Sequence, residues 1–199
     1  MQIKRIARNL ATLVALSALV AACSRDGRDM SAPSPDQTQS IAVVTTVAET
    51  VGTGTGFSIT TPWADGGAID AMFTCTGGSV SPSITFSNIA PDVVSLAISL
   101  VDESADFAVH WVVANIDVTQ PTLSENAIPA GAVQSINVAG TTGYHAPCAP
   151  AGETHTFRLT GYGLPQQLDL PDGTDSITLI NAIELAALDT VSNTFVVAG

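Results

Sequence analysis

The chain has 199 residues, 46% hydrophobic and 12% charged, with 18 acidic residues against six basic ones and a formal charge of −12. Such an excess of carboxylates repels phosphate backbones and anionic lipid faces, which argues against nucleic acid as a partner. Once terminal segments are set aside, the length still supports one sizeable core.

The N-terminus reads as a targeting segment. Lys4, Arg5 and Arg8 form a basic start, and Leu10 to Val20 is apolar but shorter than the ~20 residues a spanning helix needs. Leu19-Val20-Ala21-Ala22-Cys23 then has the small-residue pattern of a bacterial lipoprotein box. The expectation is a signal peptide over residues 1–22 and a lipid on Cys23; an ordinary signal peptide with an incidental cysteine is the alternative. Ser24, not Asp, follows the cysteine. By resemblance to the enterobacterial sorting rule this points to the outer membrane, facing the periplasm. Residues 1–22 hold three of the six basic residues and none of the 18 acids, so the remainder carries a formal charge of −15. A membrane contact then rests on the acyl anchor and not on charge, and the acidity itself reads as solubility.

Residues 23–51 read as the lipidated cysteine and a flexible tether, polar and Pro-containing around Ser31 to Ser40, with a more apolar stretch from Ile41 to Val51 that is either a first strand or more tether. Gly52-Thr53-Gly54-Thr55-Gly56 marks the start of one domain, 52–199. Leu96, Ile98 and Leu100 alternate with Ser95, Ala97 and Ser99, which predicts a strand. Trp111, Val112, Val113 and Ile116 predict a buried strand. Thr154 to Leu164 alternates again, placing His155, Phe157 and Leu159 on one face and Thr156, Arg158 and Thr160 on the other. After the Pro171-Asp172-Gly173 turn, Leu179, Ala182, Ile183, Ala186 and Ala187 share a helical face. Phe195-Val196-Val197 ends the chain as a strand or extended segment. Asp106, Asp169, Asp172 and Asp175 read as solvated loop acids, and Tyr162 as packing.

The three histidines of the chain fall in two patterned segments. One is Val101-Asp102-Glu103-Ser104-Ala105-Asp106-Phe107-Ala108-Val109-His110-Trp111. The other is Tyr144-His145-Ala146-Pro147-Cys148-Ala149-Pro150-Ala151-Gly152-Glu153-Thr154-His155. With Phe57-Ser58-Ile59, Asp65-Gly66-Gly67-Ala68-Ile69, Phe73-Thr74-Cys75-Thr76-Gly77-Gly78 and Ser81-Pro82-Ser83-Ile84-Thr85-Phe86, in this order, the chain resembles the phosphatidylethanolamine-binding protein family, in the branch called bacterial Raf kinase inhibitor-like proteins. The resemblance spans roughly residues 55–199. It implies a mainly β fold, an antiparallel Greek-key two-sheet β-sandwich with peripheral helices, one of them near the C-terminus.

The resemblance also implies a small anion pocket. Asp102 matches the first acid of the family's signature loop, with Glu103, Ser104 and Ala105 in place of Pro, Asp and Ala. His110 matches the histidine before Trp, His155 the second pocket histidine, and Phe157 replaces the usual Tyr. Pro147 and Pro150, with Ala146 and Ala149, replace a Gly-Pro-rich wall, and Tyr144 or Phe157 shapes an apolar side. Thr156 stands where the family usually has Arg, a residue that braces the loop; Arg158, on the same strand face, partly compensates. His145 has no counterpart and reads as an exposed loop residue. Cys75 and Cys148 flank the implied pocket. In an oxidising compartment they form either a disulfide, stabilising by ~4 kcal/mol, or two buried thiols. Their spacing has no zinc pattern.

An acid beside an imidazole fixes its tautomer and raises its pKa, making it a better donor to an anion. Backbone N–H groups of the loop add donors. The leading expectation is a lipid-anchored envelope module for a small anionic or phosphorylated ligand, without cofactor. A second is a regulator or inhibitor of an envelope protease. A third is an enzyme using Asp102 with His110 as an acid/base pair and Ser104 as nucleophile, but no Gly-x-Ser-x-Gly elbow, Walker loop or metal-ligand cluster accompanies it.

Overall fold

The computed structural model describes residues 56–199. The expected signal peptide, Cys23, the tether and the stretch Ile41 to Val51 lie outside the described residues.

Three short strands, β1 (Ser58–Thr60), β3 (Ile84–Ser87) and β6 (Thr122–Leu123), form a small antiparallel sheet in the order β1-β3-β6. A larger sheet contains β2 (Gly67–Ala68), β4 (Ser95–Asp102), β5 (Ala108–Asp117), β7 (Val133–Gln134), β8 (Thr154–Leu164) and β9 (Asp189–Ala198). Its order is β2-β9-β8-β4-β5-β7, with only the β2–β9 pair parallel. The chain leaves the β4–β5 hairpin and returns past it to lay β8 beside β4, the long crossing expected of a Greek key. Among the described residues there is one α-helix, α1 (Ser176–Ala186), and one 3₁₀ turn, Ala71–Phe73.

The sequence alternation explains the layers. Leu96, Ile98, Leu100, Phe157 and Leu159 point toward the small sheet and meet Ile84, Phe86 and Leu123 there. The opposite face of the large sheet carries Ala97, Val109, Val112 and Tyr162, which α1 covers with Leu179 and Ile183. β4 is therefore buried on both faces, which is why its intervening residues are the small Ser95, Ala97 and Ser99. Tyr162 is packed as expected, its hydroxyl 3.0 Å from that of Ser99. An aromatic spine closes the inter-sheet core: Phe157 stacks on Phe195 at 5.3 Å, and Trp63 meets Phe195 edge-on at 4.6 Å.

Two loop acids do more than face solvent. Asp175 caps α1, its side chain accepting the Thr178 N–H at 3.0 Å. Asp172 accepts the Gln134 N–H at 2.8 Å and holds the end of β7. The C-terminal strand also starts earlier than Phe195, at Asp189. Its polar first half hides the alternation, yet Asn193 is used: its side chain accepts the Trp63 indole N–H and donates to Thr61.

The sheets approach closely at Gly161 on β8. A Cβ there would stand 2.8 Å from Ile59 Cγ2 and 3.0 Å from Phe86 Cε1. Gly161→Val is expected to destabilise the domain by roughly 1–3 kcal/mol through overpacking. Urea unfolding measures this, and an unchanged midpoint would contradict the close approach.

Candidate functional site

The register of β4 against β8 sets Asp102 opposite Phe157, and His155 lies two residues before Phe157 on the same face. The His155 Nδ1–H donates to Asp102 Oδ2 at 2.7 Å. Both groups are buried, Asp102 at 2% exposure and His155 at 9%. The other carboxylate oxygen, Oδ1, accepts the Ser104 N–H at 2.9 Å, forming an Asx turn as the chain leaves β4. Asp102 thus shapes the turn and orients an imidazole at once.

His110 reaches the same face through a bulge in β5. Leu100 pairs with Trp111, but Val101 pairs with Val109, which leaves His110 as the extra residue. Sequence neighbours then point the same way. Trp111 enters the inter-sheet core, while His110 packs edge-on against Phe157 with ring centroids 5.1 Å apart. Val109 and Val112 stay on the α1 face. Phe157 also lies 6.4 Å from the His155 ring, so this fully buried phenyl separates and supports both imidazoles.

The structure corrects two expectations here. The partner of Asp102 is His155, not His110, because the β4–β8 register brings their side chains together. The partner of His110 is the loop residue His145, which is half-buried and not exposed. The His110 Nδ1–H donates to the His145 carbonyl at 3.0 Å, the His145 N–H returns a bond to the His110 carbonyl at 2.9 Å, and the two rings lie 5.2 Å apart. The only sequence signal for His145 was its place beside a Gly143-Tyr144 turn, which says nothing about where the loop docks.

The surroundings push the two imidazoles in opposite directions from the ordinary histidine value. The hydrogen bond to Asp102 lifts His155 above the ordinary histidine value, and Glu153 adds to this, its Oε2 lying 3.5 Å from His155 Nε2. Burial pushes His110 below that value, against the opposing pull of the His145 carbonyl. Near neutrality the two carboxylates favour the charged form of His155. His110 is neutral, with its proton committed at Nδ1 and a bare acceptor at Nε2.

The remaining expected site residues act mainly as framework. The Ser104 Oγ accepts the Thr156 N–H at 2.9 Å. With the Glu103 N–H donating to the Thr156 carbonyl at 2.8 Å and the Glu103–Arg158 ion pair, it ties the turn to β8. Arg158 therefore braces this loop, as its place on the strand predicted. The Tyr144 hydroxyl donates to the Phe73 carbonyl at 2.6 Å and its ring meets Trp111 edge-on at 5.3 Å. Burial holds that phenol above its ordinary range, so Tyr144 is a wall with its donor already used. Pro147 is buried and its carbonyl accepts the Cys75 N–H at 3.0 Å; Pro150 is exposed and its carbonyl accepts the Glu153 N–H at 2.9 Å. Cys75 and Cys148 form a disulfide across a sequence separation of 73, with Cα atoms 5.4 Å apart. It pins the loop that supplies the His145 carbonyl. Among the described residues no group of three or more His, Cys, Asp or Glu is placed to hold a metal.

A family model described as phosphatidylethanolamine-binding protein matches residues 59–196. The chain is 36% identical over 127 residues to LppC, a candidate lipoprotein of Mycobacterium tuberculosis, with 63% of each chain covered. It thus spans just under two thirds of that relative's length. It is 35% identical over 127 residues to a UPF0098 protein of Methanothermobacter thermautotrophicus, covering 60% of this chain and 83% of that one. Its structure is similar to that of CT736, a candidate phosphatidylethanolamine-binding protein homologue from Chlamydia trachomatis, with a TM-score of 0.67, 25% identity, and 73% and 99% of the two chains covered. YbcL of E. coli, titled a member of the mammalian PEBP family, matches in fold at a TM-score of 0.67 and 23% identity, over 72% of this chain and 98% of its own. No helix among the described residues is long and apolar enough to cross a membrane.

Proposed function

We propose that this chain, which belongs to the phosphatidylethanolamine-binding protein family, is a cell-envelope binding module that holds a small phosphorylated or carboxylated headgroup between His155 and His110. One observation carries this reading: the Asp102 carboxylate on Nδ1 of His155 favours the charged ring, and the partner at its Nε2 is the exposed Glu153 carboxylate at 3.5 Å, which an anion can displace. His110 offers the complementary acceptor at Nε2. A donor beside an acceptor suits an oxyanion that carries one proton, such as a phosphate monoester. The similarity to a candidate lipoprotein and the Ala21-Ala22-Cys23 sequence support an acyl tether at the envelope. The Ser104 hydroxyl is held as a brace by the Thr156 amide, which favours binding over nucleophilic catalysis.

Sulfate, which does not titrate near neutrality, is the cleanest probe. Calorimetric titration of the intact protein is expected to show affinity strongest in acid, where the imidazoles are protonated. Affinity then falls as His110 loses its proton below about pH 6.5, and again as His155 does so above that value. Affinity that is flat, or that rises with pH, overturns the site. Parallel titrations with phosphate and phosphoethanolamine compare the headgroups directly.

A further inference from the structure

The face of the large sheet that looks toward α1 holds a cavity of about 290 Å³. Val101 and Val109 from the sheet and Ile177 and Ile180 from α1 make apolar walls. The paired hydroxyls of Ser99 and Tyr162 also line it. Burial, with the Glu184 charge adding to it, keeps the Tyr162 phenol protonated, so the lining retains a donor.

Two features set this cavity apart from a packing gap. Arg158, the only Lys or Arg among the described residues, lines it, and so does Glu184. One cation and one carboxylate thus share a largely apolar hollow on a strongly acidic chain. Arg158 already pairs with Glu103, but a guanidinium has five N–H donors and its side chain remains 47% exposed. The second feature is Phe107. It sits at the cavity, 63% exposed, at φ +56, directly after Asp106 at φ +47. Two successive left-handed residues, one of them bulky, are unfavourable backbone. That strain presents an aromatic ring to solvent beside the hollow, with Ile177 exposed across it at 56%.

We propose that this cavity binds a small zwitterion with an apolar body, the chemistry of a free apolar α-amino acid, its carboxylate at Arg158 and its ammonium at Glu184. The body would lie between Phe107 and the valine and isoleucine walls. A simple carboxylic acid of the same shape lies against the Glu184 carboxylate, and a simple amine lies against the Arg158 guanidinium, with no opposite charge of its own to offset the repulsion, so each is disfavoured. The site is separate from the imidazole pair, which lies on the other face of the sheet.

The test titrates the intact protein with L-phenylalanine, 3-phenylpropionate and phenethylamine, following backbone amides by NMR. Saturable shifts centred on Val109, Tyr162 and Ile180 are expected for phenylalanine, with the other two probes roughly tenfold weaker. Glu184→Gln, at an exposed helix position, is expected to weaken phenylalanine by about the same factor while leaving the spectrum folded. The proposal is overturned if phenylalanine fails to saturate, if its shifts centre on His110 and His155, or if all three probes and the variant bind alike.

Discussion

Replacing Cys75 and Cys148 together by serine is expected to lower the stability of the domain by about 4 kcal/mol. The bridge spans a sequence separation of 73, and closing a loop of that size removes much of the freedom of the unfolded chain. For a domain of this length the loss corresponds to a fall in Tm of roughly 10 °C. The consequence extends to the site. Cys148 belongs to the loop that contains His145 and Pro147, and the Cys75 N–H bonds the Pro147 carbonyl. Freed of the bridge, that loop is less able to hold its carbonyl against His110 Nδ1. Denaturant unfolding of the paired variant, with NMR of the His110 ring, measures both effects. A stability loss below about 1 kcal/mol would show that the unfolded chain gains little freedom when the bridge is removed. A His110 ring unmoved in the variant would show that the loop docks without it.

The parts of this fold that were legible in the sequence are those where a single periodicity governs a whole element. β8 alternates cleanly because one face meets the small sheet and the other meets α1 and the cavity, and its bounds follow from Thr154 to Leu164. α1 was legible from the spacing of Leu179 and Ile183, both fully buried. The first half of β9 was not, because its residues from Asp189 to Thr194 are polar apart from Val191 and serve hydrogen bonds instead of a core.

The candidate site shows the same division. His110 and His155 could be found as residues, since an imidazole before Trp and another opening an alternating strand are unusual. Their partners could not be found, because partners depend on register and on loop docking. A bulge at His110 turns two adjacent side chains to one face, and nothing in Val109-His110-Trp111 announces it. The carboxylate nearest to His110 along the chain is Asp106, which lies in the strained turn. The Asp102 side chain instead crosses to β8. Asn115 marks a second bulge in β5, at φ +60, with its amide bonded to Leu168 on both sides. There the left-handed preference of Asn was a usable signal.

Asp102→Asn is expected to remove most anion binding at neutral pH while leaving it measurable in acid. In the native protein the hydrogen bond to the Asp102 carboxylate is the main reason His155 holds its proton above the ordinary value. The Asn oxygen can still accept the Ser104 N–H, so the turn persists, while its NH2 faces His155 Nδ1 and donates to it in the neutral ring. What goes is the charge, and with it the raised pKa. Each unit of downward shift reduces the protonated fraction above the pKa by about tenfold, and sulfate affinity at about pH 7.5 falls with it. At about pH 5.5 the imidazole is again charged and binding recovers. Stability follows the same linkage. The contribution of the native pair is full below the unfolded value of about 6.5 and is lost as pH rises through the higher folded value. The variant lacks that dependence. Imidazole NMR titration of His155 beside calorimetry with sulfate measures both. If His155 keeps its raised pKa in the variant, Glu153 at Nε2 is the stronger influence. If the pKa falls and sulfate affinity at neutral pH does not, the anion is held elsewhere and the paired histidines do not form its site.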